Sequence, residues 1–192
     1  MIREPLWDLA GRTVSVGSDV GTTIEALLRL QNTADRQRPV TLYLIGSPSA
    51  ALLPTTDALL LCSLIRTLQS PVETIAMGII SQPLPLILAA GTRRRCLLKH
   101  AMVSLSPLKW DAWPAARAPI GLAHPPSPPP RTLLDQQLSK LMRELDLDPE
   151  LFATERLLTA EEAVEHRLAD MVVAHTPPQL QPNPEPPHEA QR

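Results

Sequence analysis

Apolar and polar positions follow one another along this chain in two rhythms. Val40–Ile45 is a continuous apolar, β-rich run that reads as a buried strand, and Glu73–Met77 is another; Arg12–Val16 is a shorter strand candidate. Between them the spacing turns helical. Val20–Gln31 carries Ile24, Leu27, Leu28 and Leu30, and Thr55–Leu68 puts Leu60, Leu61, Leu64, Ile65 and Leu68 on one side. Gly46–Pro54 reads as a loop. A short apolar helix is predicted over Pro83–Ala90, then short strands at Cys96–Leu98 and Met102–Leu105 around a basic turn, Arg93–Arg95, taken as solvated. Strands alternating with helices at this pitch imply βαβ units and a largely parallel, buried sheet, an α/β fold. Further on, Thr132–Leu145 keeps Leu134, Leu138, Leu141, Met142 and Leu145 on one helical stripe. Thr159-Ala-Glu-Glu162 is a capping box opening a helix to His166, and Ala169–Val173 reads as a last strand.

The junction after Glu73–Met77 carries the candidate chemistry. The strand is expected to stop at Gly78 and the helix to start near Pro83, leaving Ser81, Gln82 and Pro83 in a sharp turn. Many hydrolases hold a nucleophile at such a turn, because the side chain and the helix amides then face one cavity. Ser81 is the only residue of the three with a nucleophilic side chain. A serine just before a helix is more simply its N-cap, and that is the expectation here.

Composition narrows the function classes. The chain has 192 residues and a formal net charge of −2, which gives no electrostatic case for nucleic acid or an anionic membrane as partner. Aromatic residues make up only 3%, so the core must come from Leu, Ile, Val and Ala. Cys62 and Cys96 stand in apolar surroundings without a CxxC pattern, so buried free thiols are expected, with no metal site and no cofactor. No apolar run reaches the ~18 residues of a membrane span, and the N-terminus lacks the apolar core of a secretion signal, so a cytoplasmic protein is expected. Of the 22 prolines, 13 fall in two places, 108–131 and the tail 175–192. The first is expected to be a long excursion and the second disordered, since proline donates to neither ladders nor helices.

In this order the pieces resemble the proteolytic subunit family of the Clp protease (ClpP). The resemblance rests on Arg12-Thr-Val-Ser-Val-Gly17, on Leu42-Tyr-Leu-Ile45 with Ser47-Pro48, on Glu73-Thr-Ile-Ala-Met-Gly78 through Leu88-Ala-Ala-Gly91, and on Leu158-Thr-Ala-Glu-Glu-Ala-Val-Glu-His166 through Asp170. It covers about residues 10–174. It implies a ClpP/crotonase-like spiral of ββα units with a protruding helix, spanning 12–174 after a short segment 1–11. The longer loop at Gly46–Thr56 is similar to the R-type (ClpR) subunits of cyanobacteria and plastids.

The family is a serine peptidase with a Ser–His–Asp triad. Matched position by position, the serine falls on Gln82, the histidine on Leu105 and the aspartate on Ala153. A carboxamide is no nucleophile and an isobutyl group no base. The residue whose backbone N–H would serve the oxyanion hole is Pro83, which has none, and losing one such donor costs roughly 10²–10³ in rate. The family's SPGG loop, which supplies the other donor, reads Ser47-Pro48-Ser49-Ala50. A shifted nucleophile at Ser81 would need a base. His100 precedes Leu105 by a distance of roughly 16 Å in an extended strand. His124, His166, His175 and His188 are expected far from the turn. No catalytic, substrate, cofactor or metal residue is therefore expected.

The resemblance then implies a non-catalytic subunit in a mixed heptameric ring, with active ClpP-type chains as partners and a Clp-family ATPase acting indirectly. The Pro-rich excursion replaces the strand with which the family docks its rings. Two other readings stay open: an acyl-thioester enzyme of the crotonase-like kind, and a free regulator of a Clp ATPase.

Overall fold

The computed structural model describes residues 7–8, 10–16, 19–33, 35–46, 53–108 and 131–174. The elements are β1 (Trp7–Asp8), β2 (Thr13–Ser15), α1 (Val20–Gln31), β3 (Val40–Gly46), α2 (Thr55–Thr67), β4 (Val72–Ser81) and α3 (Leu84–Ala89). They continue as β5 (Arg94–Leu98), β6 (Met102–Leu105), α4 (Arg131–Glu144), β7 (Arg156–Thr159), α5 (Ala160–Glu165) and β8 (Met171–Val173), with a 3-10 turn at Pro149–Phe152.

The architecture is α/β with a mostly parallel sheet, ordered β1-β2-β3-β4-β5-β8. Every neighbouring pair along this path is parallel except β1 with β2. Pairing branches at β4. Its end, Ile79–Ser81, pairs in parallel with Met102–Ser104 of β6, and β6 pairs antiparallel with β7. β4 thus belongs to two sheets.

Glycine makes the branch possible. Gly46 and Gly78 are register partners on β3 and β4. A Cβ on Gly46 would lie 2.1 Å from the Ile79 carbonyl oxygen, and one on Gly78 would lie 2.6 Å from that of Gly46. Gly78 also has φ +72°, in the left-handed region that side chains disfavour. The two backbones touch here, and β4 turns out of the first sheet into the second.

The main core lies on one side of the central strands. Leu42 and Leu44 of β3, Ala76 of β4 and Leu97 of β5 belong to one cluster with Leu27 and Leu30 of α1, Leu61 and Ile65 of α2, and Leu86–Leu88 of α3. The helix periods predict the buried positions only in part. Leu28 and Leu60 point outward, and of the α4 stripe only Leu141, Met142 and the following Leu145 are buried. Arg12 is almost wholly buried, and its guanidinium donates to Thr33 Oγ1 (2.6 Å), Ser70 Oγ (3.1 Å) and the Leu30 carbonyl (3.3 Å). It caps the end of α1, where carbonyls lack helical partners.

Several expectations are corrected. The strand at Glu73–Met77 does not stop at Gly78; glycine bends it and it runs to Ser81, because β6 offers its end a new partner. Arg94 and Arg95 lie in β5 rather than in a solvated turn. Arg94 is ion-paired with Glu73 at 2.9 Å. Arg95 grips Asp170 through Nε at 3.0 Å, through Nη2, and through its backbone N–H at 2.8 Å. The last strand is shorter than Ala169–Val173, since Asp170 is committed to Arg95. β1, β7 and the 3-10 turn have no counterpart in the sequence reading. The capping box is present as expected: Thr159 Oγ1 accepts from the Glu162 N–H, and the Glu162 carboxylate accepts from the Thr159 N–H.

Candidate functional site

The candidate site is the junction of β4 and α3. Ser81 is the last residue of β4 and is paired with Ser104, so its expected role as N-cap is not met. The N-cap is Pro83, with no side-chain hydrogen bond to the helix. What holds α3 in place is packing and one buried bond. Pro85 through Ala89 are all buried, and Thr74 Oγ1 on β4 donates to the Leu88 carbonyl at 2.8 Å. Gly91 lets the chain pass close to that threonine, since a Cβ there would lie 2.7 Å from Thr74 Oγ1.

The register gathers the matched positions. Gln82 and Leu105 each directly follow the paired Ser81 and Ser104, and Leu105 faces Arg156 across β6 and β7. Ala153 closes the 3-10 turn at Pro149–Phe152, a short step before Arg156. Topology therefore brings the neighbourhoods of all three positions to one end of β4, β6 and β7. Their chemistry does not make a catalytic set. Leu105 is 1% exposed and belongs to the main core, so it does not line a cavity. Ala153 is exposed and carries only a methyl group.

Gln82 has both carboxamide atoms buried and without a hydrogen-bond partner. Its peptide bond to Pro83 is cis. Pro83 and Pro85 both lack an N–H, so Leu84 carries the only amide of that first stretch, and α3 is short. An oxyanion at this junction would meet few donors. Among the described residues Ser81 makes no hydrogen bond to a histidine. His100 and His166 are both exposed at the ends of other elements, β5 and α5. His124, His175, His188 and Ser47–Ala50 lie outside the described residues.

Both cysteines are buried free thiols. Burial pushes the Cys62 thiol up to about 12, and burial followed by the nearby Glu73 carboxylate pushes Cys96 upward. Neither is a thiolate nucleophile at neutral pH. Among the described residues no group of His, Cys, Asp and Glu is placed to hold a metal ion. No described helix is long and apolar enough to cross a membrane.

The sequence reading missed β7, which completes the second sheet. The signal was present in Arg156-Leu-Leu-Thr159, an apolar pair directly before the capping box. It also missed that Tyr43, Ile75 and Cys96 form a cluster separate from the main core.

Fold and site together define an α/β protein with a tightly packed strand-to-helix junction that carries Ser81, Gln82 and Pro83. No protein-family model matches the chain, and no curated protein matches it.

Proposed function

We propose that this chain is a non-catalytic subunit of the ClpP type, like the R-type subunits, occupying places in a mixed heptameric ring of an ATP-dependent Clp protease. Active ClpP-type chains are its direct partners, and a Clp-family ATPase acts on the ring. In this reading the α/β architecture is a ClpP/crotonase-like spiral of ββα units and α4 is its protruding helix. The sparse burial of α4 before Leu141 supports that assignment.

One observation carries the proposal. The β4–α3 junction keeps its packing, from the Thr74–Leu88 bond to the buried run Pro85–Ala89, while offering Gln82 and Pro83 where a nucleophile and an oxyanion donor would stand. Selection for shape without chemistry leaves that pattern, and a structural subunit needs only shape. The same junction argues against an acyl-thioester enzyme, which would rely on the missing backbone donor.

The test is co-expression with candidate active ClpP-type subunits, followed by native mass spectrometry. Mixed rings containing this chain are expected. A protein that stays monomeric beside every active subunit would sink the proposal. A fluorophosphonate probe should leave Ser81 unlabelled in the purified protein; labelling would restore a catalytic reading.

A further inference from the structure

One end of the main sheet carries arginines that have no counter-charge. β2, β3, β4, β5 and β8 run parallel, so the segments leading into them lie at the same end. Backbone bonds tie these segments together: the Val40 N–H donates to the Pro71 carbonyl, and the Thr92 and Arg93 N–H groups both donate to that of Val72. Side chains extend the link, with Arg12 donating to Ser70 and Arg36 Nη1 to Gln69 Oε1 at 3.5 Å. Residues 35–39, 66–73 and 91–94 carry Arg36, Arg38, Arg66, Arg93 and Arg94, all exposed, against two carboxylates, Asp35 and Glu73. Arg38 takes Asp35 at 3.4 Å and Arg94 takes Glu73 at 2.9 Å. Arg95 and Asp170 neutralise each other beside them, as do Lys140 and Glu144 in the cleft next to Arg66. Among the described residues Arg36, Arg66 and Arg93 are left without a carboxylate.

The helix dipole explains only one of the three. Arg66 lies in the last turn of α2, where a cation is favoured; Arg36 and Arg93 stand beyond the last turn of any helix, where that effect has faded. We propose that this edge docks an acidic, extended segment of a partner protein, whose carboxylates at alternate positions lie on Arg36, Arg66 and Arg93. The docking is independent of ring assembly. From β3 to β5 is two strand spacings, roughly 10 Å at ~4.8 Å each. An extended peptide laid across the strand ends puts same-side side chains ~6.8 Å apart, so three of them span about 14 Å, within reach of the long arginine stems.

The chemistry of the edge selects its partner. Its exposed cations are all arginines, whose planar fork takes a carboxylate through two parallel bonds, where a lysine offers only a point charge. Phosphate fits the fork as well, but two observations favour a polypeptide over a nucleic acid. None of the three segments carries an aromatic side chain on which a base could stack. The chain as a whole is negative, at −2, so a long polyanion is repelled beyond the edge while a short acidic segment is not.

The probe is a peptide of about ten residues, alternating Glu and Ser and capped at both ends, titrated into the full chain by calorimetry. Binding is expected at about 50 mM salt and should weaken at about 300 mM, where exposed charges are screened. Arg36→Glu, Arg66→Glu and Arg93→Glu together should weaken it at least ~10-fold, since each exposed pair contributes roughly 1.5- to 5-fold and reversal adds repulsion. Lys99→Glu, Arg131→Glu and Arg156→Glu together change the net charge equally. Lys99 follows β5 and Arg156 stands opposite Leu105, both at the other end of their strands, and Arg131 opens α4. This control should stay within ~3-fold of the natural chain. No binding by the natural chain, or an equal loss in both triple variants, overturns the proposal. Tighter binding of a single-stranded oligonucleotide of about ten nucleotides overturns it too. Should the Arg→Glu triple variant melt early in circular dichroism, Arg36→Gln, Arg66→Gln and Arg93→Gln together take its place, and an affinity unchanged by that loss of charge overturns the proposal.

Discussion

Gly78→Ala tests whether the bend of β4 is fixed by the absence of a side chain. Two costs combine there. The φ of +72° places an L-residue in the left-handed region, at roughly 1–2 kcal/mol. The new Cβ would stand 2.6 Å from the Gly46 carbonyl oxygen, an atom of the neighbouring backbone that no rotamer change can move. Overpacking of that kind costs about 1–3 kcal/mol, so the total is about 2–5 kcal/mol. With a mid-range urea slope of about 2 kcal/mol per molar, the unfolding midpoint should fall by roughly 1–2.5 M at unchanged slope. Gly46→Ala carries the steric cost without the left-handed one, its Cβ falling 2.1 Å from the Ile79 carbonyl oxygen. Gly21→Ala is the mild control: it lies in the first turn of α1, has no left-handed φ, and its Cβ would meet only Asp19 Oδ1 at 3.2 Å, so its effect should stay within about 0.5 kcal/mol. If Gly78→Ala unfolds within ~0.5 kcal/mol of the natural chain, the bend is not set by glycine and the reasoning fails.

Three further outcomes follow from the packing. Arg12→Met removes three hydrogen bonds, two of them buried, but also a desolvated charge, and should lower stability by about 1–3 kcal/mol in calorimetry; Arg12→Lys should do no better, because an ammonium cannot span the acceptors of a fork, and a fully stable lysine variant would show that charge alone matters. The side-chain hydrogen bond from Arg95, ahead of the backbone bond and the charge attraction, holds the Asp170 carboxyl below its usual range. Its stabilisation is therefore present above the unfolded-state value and lost as pH falls through the folded one, so urea midpoints of Asp170→Asn should depend less on pH in the acid range than those of the natural chain, and parallel profiles would refute it. Thr159→Ala breaks the capping box and should cost about 1 kcal/mol, read as faster amide exchange in α5.

What the sequence disclosed depended on whether a signal was local. The strands at Val40–Ile45 and Glu73–Met77 were legible because a central parallel strand is buried on both faces over most of its length, which leaves a mostly apolar run. The capping box was legible because its partners lie within one turn. Gly78 misled, since glycine ends strands as readily as it bends them, and only the distant β6 decides which. Arg94 and Arg95 looked solvated because their partners, Glu73 and Asp170, are far away in sequence. At the site, the lack of reactive groups at Gln82, Leu105 and Ala153 needed no structure. That Leu105 is sunk in the core, and that Gln82 hides an unpaired carboxamide, could not be read from the chain.

The double membership of β4 has a consequence for how this molecule opens. Two sheets that met only through side chains could separate one at a time. Here the same run of backbone is hydrogen-bonded to β3 and β5 over its first part and to β6 over its last. Releasing β6 alone frees Ile79–Ser81, but freeing the body of β4 removes the support of both sheets at once. Amides of Val72–Ala76 should therefore exchange with solvent only in the global unfolding event, and the second sheet should lose its protection no later than the first. One continuous strand makes the two sheets a single cooperative unit.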